Sequence, residues 1–196
     1  MTEFKLAGNC ASERRMRPDW SSAGNDELPQ DLRAWVDEAT LVQMVLHAVQ
    51  SVCEMEVISR RLATTIPAGL PRIVLSILAY SYAVGTYRSE EIEAQIVSDR
   101  NLRYLSAGAR PSWHDLRRFR RQRRPLVHAA LSLTLRLACR FSLRPDGVYL
   151  GSNFEPSDSF LALEPTAFKR TIETAHTAAA ERINQAVRWD SIELDV

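Results

Sequence analysis

Apolar residues recur at steps of three and four along most of the chain, and this spacing limits the structures it can form. One such stretch begins near Asp31, and others cover residues 127–141 and 168–186. The spacing places apolar side chains along one side of an α-helix. We therefore predict a mostly α protein: a multi-helix orthogonal bundle with a helix-turn-helix-like basic element, an irregular loop and a C-terminal helix.

Residues 70–87 are the most apolar part of the chain. Arg72 is the only charged residue before the end of this stretch, but a proline, two serines and Gly85 interrupt it. The uninterrupted apolar run is shorter than the roughly 20 residues that a membrane-spanning helix needs. We predict a buried central helix from about residue 72 to residue 85, and no membrane partner.

Local signals mark where further helices begin. Ser89, followed by two glutamates, suits a helix start because a hydroxyl can accept free amide protons and carboxylates favour the positive end of the helix dipole. Ser112 stands three residues before Asp115, close to the capping-box pattern. Pro125 should kink or restart the helix that follows.

These signals divide the chain into four segments. We predict a mobile N-terminal arm at residues 1–27 and a helical domain at 28–143. Glycine, proline, serine and asparagine then interrupt the chain, which predicts a loop or linker at 144–165 with at most a short strand at 148–150. A C-terminal helix and tail occupy 166–196.

The sequence lacks the residue patterns that several classes of protein chemistry require. The three cysteines are far apart and odd in number, which predicts free thiols in a reducing cytoplasm. Neither a G-x-G-x-x-G nor a phosphate-cradling loop is present, and the four histidines fall on different predicted helices. We expect no metal, no small-molecule cofactor and no enzymatic activity.

The N-terminal residues do not resemble a secretory signal, so the predicted location is cytoplasmic, or nucleoid-associated if the protein binds DNA.

Charge is balanced overall but separated along the chain. The formal net charge is +1, yet residues 100–124 hold nine arginines and one acid, whereas residues 145–196 hold nine acids and four basic residues. Clustered guanidinium groups repel one another unless something neutralises them. Nucleic acid, the protein's own acidic C-terminal segment and an acidic protein partner are the three candidates, with nucleic acid favoured.

Placed on a helix, residues 113–124 sort into two sides. Trp113, Leu116 and Phe119 mark the side expected to face the core. Arg120 and Arg123 lie closer to this side, so we expect their aliphatic parts to pack against the core or their guanidinium groups to form internal ion pairs. The opposite side suits a major groove, because Arg binds guanine edges and phosphates and Gln binds adenine. A solvated arginine-rich helix is the alternative. The predicted nucleic-acid-binding residues are Arg103, Arg110, His114, Arg117, Arg118, Arg121, Gln122 and Arg124.

A series of short motifs runs through residues 70–120 in a fixed order. They are Leu70-Pro71-Arg72, Leu78-Ala79-Tyr80, Gly85-Thr86-Tyr87-Arg88-Ser89-Glu90-Glu91-Ile92-Glu93, Asp99-Arg100-Asn101-Leu102-Arg103-Tyr104-Leu105, Pro111-Ser112 and Leu116-Arg117-Arg118-Phe119-Arg120. Over residues 28–142 the chain resembles the helical N-terminal domain of bacterial insertion-sequence (DDE-type) transposases. The resemblance implies a helical domain that contacts DNA or mediates assembly, placed before a ribonuclease-H-like catalytic domain with three metal-binding acids.

The chain departs from that family where the catalytic domain should begin. Leu150 stands where the first catalytic aspartate is expected, and only about 45 residues follow. Two-metal phosphoryl transfer needs carboxylates from several structural elements, which so short a segment does not supply. The sequence therefore predicts a transposase-derived, non-catalytic DNA-binding protein or regulator, dimeric if its DNA site is symmetric.

Two alternatives remain open. One is a protein-interaction module, such as an inhibitor or assembly subunit, whose basic helix docks on an acidic partner. The other is a catalytic subunit completed by acids from a second chain.

Overall fold

The computed structural model describes residues 28–58, 70–142 and 165–192. After a short 3-10 helix at Leu32–Ala34, these residues form α1 (Glu38–Ile58), α2 (Leu70–Ala83), α3 (Ser89–Ser98), α4 (Arg100–Leu105), α5 (Trp113–Gln122), α6 (Arg124–Ser142) and α7 (Pro165–Ile192). The prediction of a mostly α, multi-helix bundle is confirmed for this part of the chain. The predicted arm at 1–27, nearly all of the predicted loop at 144–165 and the tail after 192 lie outside it.

Helix α2 lies at the centre of the bundle, as its composition predicts. Every residue from Val74 to Val84 is buried, including the large side chains of Tyr80 and Tyr82. Helices α1 and α6 pack against α2, and α7 packs against α6. In the described segments, no helix is long and apolar enough to cross a membrane.

Helix α7 packs against α6 through small side chains. Its buried apolar residues are Ala175, Ala179, Ile183 and Ala186, which recur at steps of four and three on one side of the helix. Three of the four are alanines, so the two helix backbones can approach closely. Pro165 is the first residue of α7, a position that suits proline because the first helical amide has no intrahelical partner.

Two helix starts confirm and refine the sequence analysis. Ser112 caps α5 in a complete capping box, with the Ser112 side chain accepting from the Asp115 amide and the Asp115 carboxylate accepting from the Ser112 amide. Ser89 is not the cap of α3. Arg88 holds that position without a side-chain hydrogen bond, and the Ser89 hydroxyl donates to Asp190 instead, 3.0 Å away.

Other boundaries differ by a few residues. The helical spacing that begins near Asp31 first covers the 3-10 helix, which Asp31 caps, and α1 begins only at Glu38. Helix α5 ends at Gln122 and α6 begins two residues later, with Pro125 in its first turn. The predicted restart of the helix at this proline is confirmed.

The chain leaves α2 through a glycine turn. Gly85 has φ +84°, a left-handed conformation, and the Thr86 amide donates to the Ser81 carbonyl at 2.8 Å. This is the Schellman arrangement, in which glycine is favoured because it lacks a Cβ atom. A Cβ at residue 85 would lie 3.2 Å from the Gln30 carbonyl oxygen, so the segment before α1 passes close to this turn.

We expect Gly85→Ala to lower the free energy of unfolding by about 2 kcal/mol, because left-handed strain adds to the close contact with Gln30. Gly108→Ala is the matched control, since Gly108 has φ +82° and no atom lies within 4 Å of the position that a Cβ would take there. Strain alone should cost the control about 1 kcal/mol. Urea unfolding followed by circular dichroism measures both, and equal losses would contradict the predicted contact.

Candidate nucleic-acid interface

The outer side of α5 carries a compact group of polar side chains. His114, Arg118, Arg121 and Gln122 are exposed and line one shallow depression with Asp115. The Arg118 guanidinium donates to the Asp115 carboxylate at 2.8 Å. We call these four exposed residues the α5 outer face; the structure brings them together as the sequence predicts.

The inner side of α5 orients this face toward solvent. Leu116 and Phe119 are buried, and α5 packs against α2, α3 and α6. At the N-terminus of the helix, the Trp113 amide donates to the Glu93 carboxylate at 2.9 Å. Hydrogen bonds from Ser112 lower the pKa of the Asp115 carboxyl, despite partial burial, and Arg118 lowers it further. The capping carboxylate is therefore ionised at neutral pH.

Three further predicted residues are exposed but lie away from this depression. Arg103 is on α4, and Arg110 is in the connection between α4 and α5. Arg124 begins α6, and its guanidinium donates to the Asn184 side chain of α7. None of the three lines the depression on α5.

The prediction that Arg117 lies on the exposed outer side of α5 is wrong. Its residue surface is only 6% exposed, and its guanidinium lies 2.8 Å from Glu90 and 3.2 Å from Asp190. The same guanidinium stacks over the Trp113 ring, with 4.4 Å between its central carbon and the ring centroid. Arg117 lies only about 40° around the helix from Trp113. Its side chain can therefore turn toward the core, where it forms ion pairs with Glu90 of α3 and Asp190 of α7.

The internal role predicted for Arg120 is confirmed. This residue is 2% exposed, and its guanidinium donates to the Asp190 carboxylate and, at 2.8 Å, to the Tyr82 hydroxyl. Burial raises the pKa of Tyr82, although the nearby Arg120 charge partly opposes the shift. The Tyr82 hydroxyl therefore stays protonated and accepts a hydrogen bond from Arg120.

Asp190 joins three helices through one buried carboxylate. It is 7% exposed and accepts from the Ser89 amide at 3.3 Å and the Ser89 hydroxyl at 3.0 Å. Arg117 and Arg120 contact the same carboxylate from α5. We call Ser89, Glu90, Arg117, Arg120 and Asp190 the buried ionic cluster. The acidic C-terminal segment thus neutralises part of the arginine-rich segment, which was one of the three alternatives.

Most arginines of the arginine-rich segment, residues 100–124, lie at the surface and outside the buried ionic cluster. Six of its nine arginines are exposed: Arg100, Arg103, Arg110, Arg118, Arg121 and Arg124. Arg118 pairs with Asp115, whereas Arg121 has no hydrogen bond or ion pair with any residue of the described ranges. The surface of this segment remains strongly positive.

No pattern of neighbouring residues in the sequence predicts the contacts of the buried Arg182. Arg182 of α7 is 6% exposed, and its guanidinium donates to the carbonyls of Tyr82 and Ala83 at 2.7 and 3.1 Å and to the Pro29 carbonyl. Burial lowers the pKa of Arg182. Only knowledge that the end of α2 meets α7 could have identified these contacts.

Two histidines from different helices meet, although their spacing in the sequence does not predict it. The rings of His128 and His176 lie 4.4 Å apart, edge to face, across α6 and α7. Burial lowers the pKa of His128, which also contacts the His176 carbonyl. Within residues 28–58, 70–142 and 165–192, no group of three or more His, Cys, Asp or Glu side chains could hold a metal ion.

The two cysteines of the described ranges are free thiols. Cys53 is half-buried and Cys139 is buried, and neither forms a disulfide. Burial raises the pKa of the Cys139 thiol to about 12, so it remains protonated at neutral pH and is a poor nucleophile. Cys10 lies outside the described residues.

Comparisons with known proteins do not place the chain in a family. No protein-family model, no curated protein sequence and no solved structure matches it.

Proposed function

We propose that this protein binds DNA through the α5 outer face. The observation that carries the proposal is the exposure, on one helix side, of two arginines, a histidine and a glutamine that line the same depression. Leu116 and Phe119 anchor the opposite side of the helix in the core. The polar groups are therefore presented on a rigid element.

The chemistry of this face suits both parts of DNA recognition. Arg118 and Arg121 can donate to phosphate oxygens or to guanine edges, and the Gln122 amide matches the donor and acceptor pair of adenine. His114 adds a ring nitrogen near the N-terminal end of the helix. The other exposed arginines of residues 100–124 extend the positive surface, which favours a polyanion over a neutral partner.

We assign the protein a non-catalytic role, as a transposase-derived DNA-binding protein or regulator. The resemblance of the motifs in residues 70–120 to those of insertion-sequence transposases supports this origin, and the leucine at position 150 supports the absence of catalysis. A regulator of this kind would occupy the DNA sites of a full-length enzyme. An acidic protein partner that docks on the same face is the alternative that the experiment below distinguishes.

We expect the double variant Arg118→Ala/Arg121→Ala to bind a random-sequence DNA duplex about 10- to 30-fold more weakly than the unmodified protein at about 50 mM salt. Two lost phosphate contacts should also reduce the slope of log affinity against log salt by about 2. Fluorescence anisotropy with a labelled duplex at several salt concentrations measures both quantities.

The matched control is Lys169→Ala/Arg170→Ala, which removes the same charge from two exposed positions on α7. The proposal requires this control to lose clearly less affinity than the α5 variant. Equal losses would mean that net charge alone determines binding. Absence of binding by the unmodified protein at low salt would favour the acidic protein partner instead.

A further inference from the structure

The buried ionic cluster resembles an anion-binding site that is already filled. The donor atoms around the Asp190 carboxylate include the Ser89 amide and hydroxyl, Nη2 and Nε of Arg120, and Nε of Arg117. The first three donate to Asp190, and Arg117 Nε lies 3.2 Å from it. Because the Ser89 amide is at the N-terminus of the ten-residue helix α3, the helix dipole adds to the attraction for a negative charge.

The Asp190 carboxylate does not satisfy every donor. Nε of Arg120 is buried and has no hydrogen-bond acceptor in the part of the chain that the structure describes. A carboxylate is planar, whereas a phosphodiester holds its two free oxygens on a tetrahedral phosphorus and presents their lone pairs in different directions. Paired arginines, a hydroxyl and a helix amide are the donors that proteins use for phosphate.

We propose that Ser89, Arg117 and Arg120 form a latent phosphate-binding site, which the Asp190 carboxylate fills in the free protein. The ligand is a phosphate group, and in the function proposed above it is a phosphodiester of the DNA backbone. The inference rests on that function only for the source of the phosphate. The site itself is defined by the buried contacts.

Charge balance favours a phosphodiester as the exchanging group. Two arginines face Glu90 and Asp190 in the buried ionic cluster, so its formal charge is zero. A phosphodiester carries one negative charge, as the Asp190 carboxylate does, and the exchange leaves the cluster neutral. A buried excess charge, which would be costly, is thereby avoided.

The end of α7 allows Asp190 to leave without the rest of the helix. Asp190 lies two residues before Ile192, the last residue of α7. Its neighbour Trp189 is 36% exposed and stacks beneath the Arg88 guanidinium, with 4.5 Å to the ring centroid. The buried apolar residues of α7, which packs on α6, lie earlier in the helix, at positions 175–186. Unwinding the last turn therefore releases Asp190 and preserves the packing of α7 on α6.

Chemical rescue of Asp190→Ala in the full chain tests the site without DNA. The variant vacates the carboxylate position, and thermal unfolding is recorded in sodium phosphate, sodium acetate and sodium chloride at equal ionic strength and pH. We expect phosphate to raise the melting temperature of the variant by about 5 °C above its value in chloride. The unmodified protein should show no comparable shift, because Asp190 occupies the site.

Two controls assign the rescue to this site. Asp190→Ala/Ser89→Ala removes the serine hydroxyl donor and should respond to phosphate less than the single variant. Asp190→Asn keeps the site filled with an uncharged group of the same shape and should respond little. Rescue by acetate alone, equal shifts in all variants, or failure of Asp190→Ala to fold even in phosphate would each overturn the proposal.

A DNA titration then identifies the source of the phosphate. Asp190→Ala, in which the carboxylate position is vacant, should bind duplex DNA at least threefold more tightly than Glu181→Ala, which removes one exposed acid from the same helix. Phosphate rescue without this difference would support an anion site that takes free phosphate and would overturn its assignment to the DNA backbone. Loss of both rescue and tighter binding would overturn the site, while DNA binding by the unmodified protein would still support the α5 outer face.

Discussion

Replacing Arg120 with methionine is expected to lower the free energy of unfolding by about 3–5 kcal/mol. The substitution keeps an unbranched apolar stem but leaves the Asp190 carboxylate buried with one guanidinium fewer. It also removes the donor to the buried Tyr82 hydroxyl. Urea unfolding followed by circular dichroism at 222 nm measures the loss.

Two further variants distinguish the effect of the lost ion pair from the effect of replacing an arginine side chain with methionine. Arg121→Met changes the next residue of the same helix, which is exposed, and should change stability by less than about 0.5 kcal/mol. Adding Asp190→Leu to Arg120→Met removes the excess buried negative charge and should recover at least about 1 kcal/mol. A single-variant loss below about 1 kcal/mol would show that the pair contributes little to the fold.

Replacing Arg182 with methionine is expected to lower the free energy of unfolding by about 3 kcal/mol. Its guanidinium supplies donors to the last two carbonyls of α2 and to the Pro29 carbonyl. These carbonyls lose a charged donor in the variant. Because Pro29 precedes the 3-10 helix, we also expect faster amide exchange in residues 28–36, measured by hydrogen–deuterium exchange mass spectrometry.

Arg188→Met is the matched control for this prediction. Arg188 is on the same helix but exposed, so its replacement should leave both stability and exchange nearly unchanged. Faster exchange that spreads evenly through all helices of the Arg182 variant would indicate global destabilisation. It would contradict a specific link between α7 and the segment before α1.

The arginine-rich helix shows how much of the candidate site follows from local sequence. The capping box, the buried Leu116 and Phe119 and the exposed Arg118, Arg121 and Gln122 depend on positions within one or two helical turns. Such interactions are encoded by spacing alone. The orientation of the Arg117 side chain is not encoded by spacing. This residue lies at the border between the two sides of the helix, and acids on other helices, Glu90 and Asp190, determine which way its side chain turns.

By itself, the sequence determined that the chain forms helices, where several begin and end, and that one of them exposes a basic face. Periodicity, the Ser112 cap, Gly85 and Pro125 suffice because their effects act between residues a few positions apart. Only the tertiary structure decided which charges meet. Asp190 lies 101 residues from Ser89 and 70 from Arg120 along the chain, and Arg182 lies 100 residues from Tyr82. No local pattern encodes these contacts, because they form only when the packing of α7 brings its charges against α2, α3 and α5.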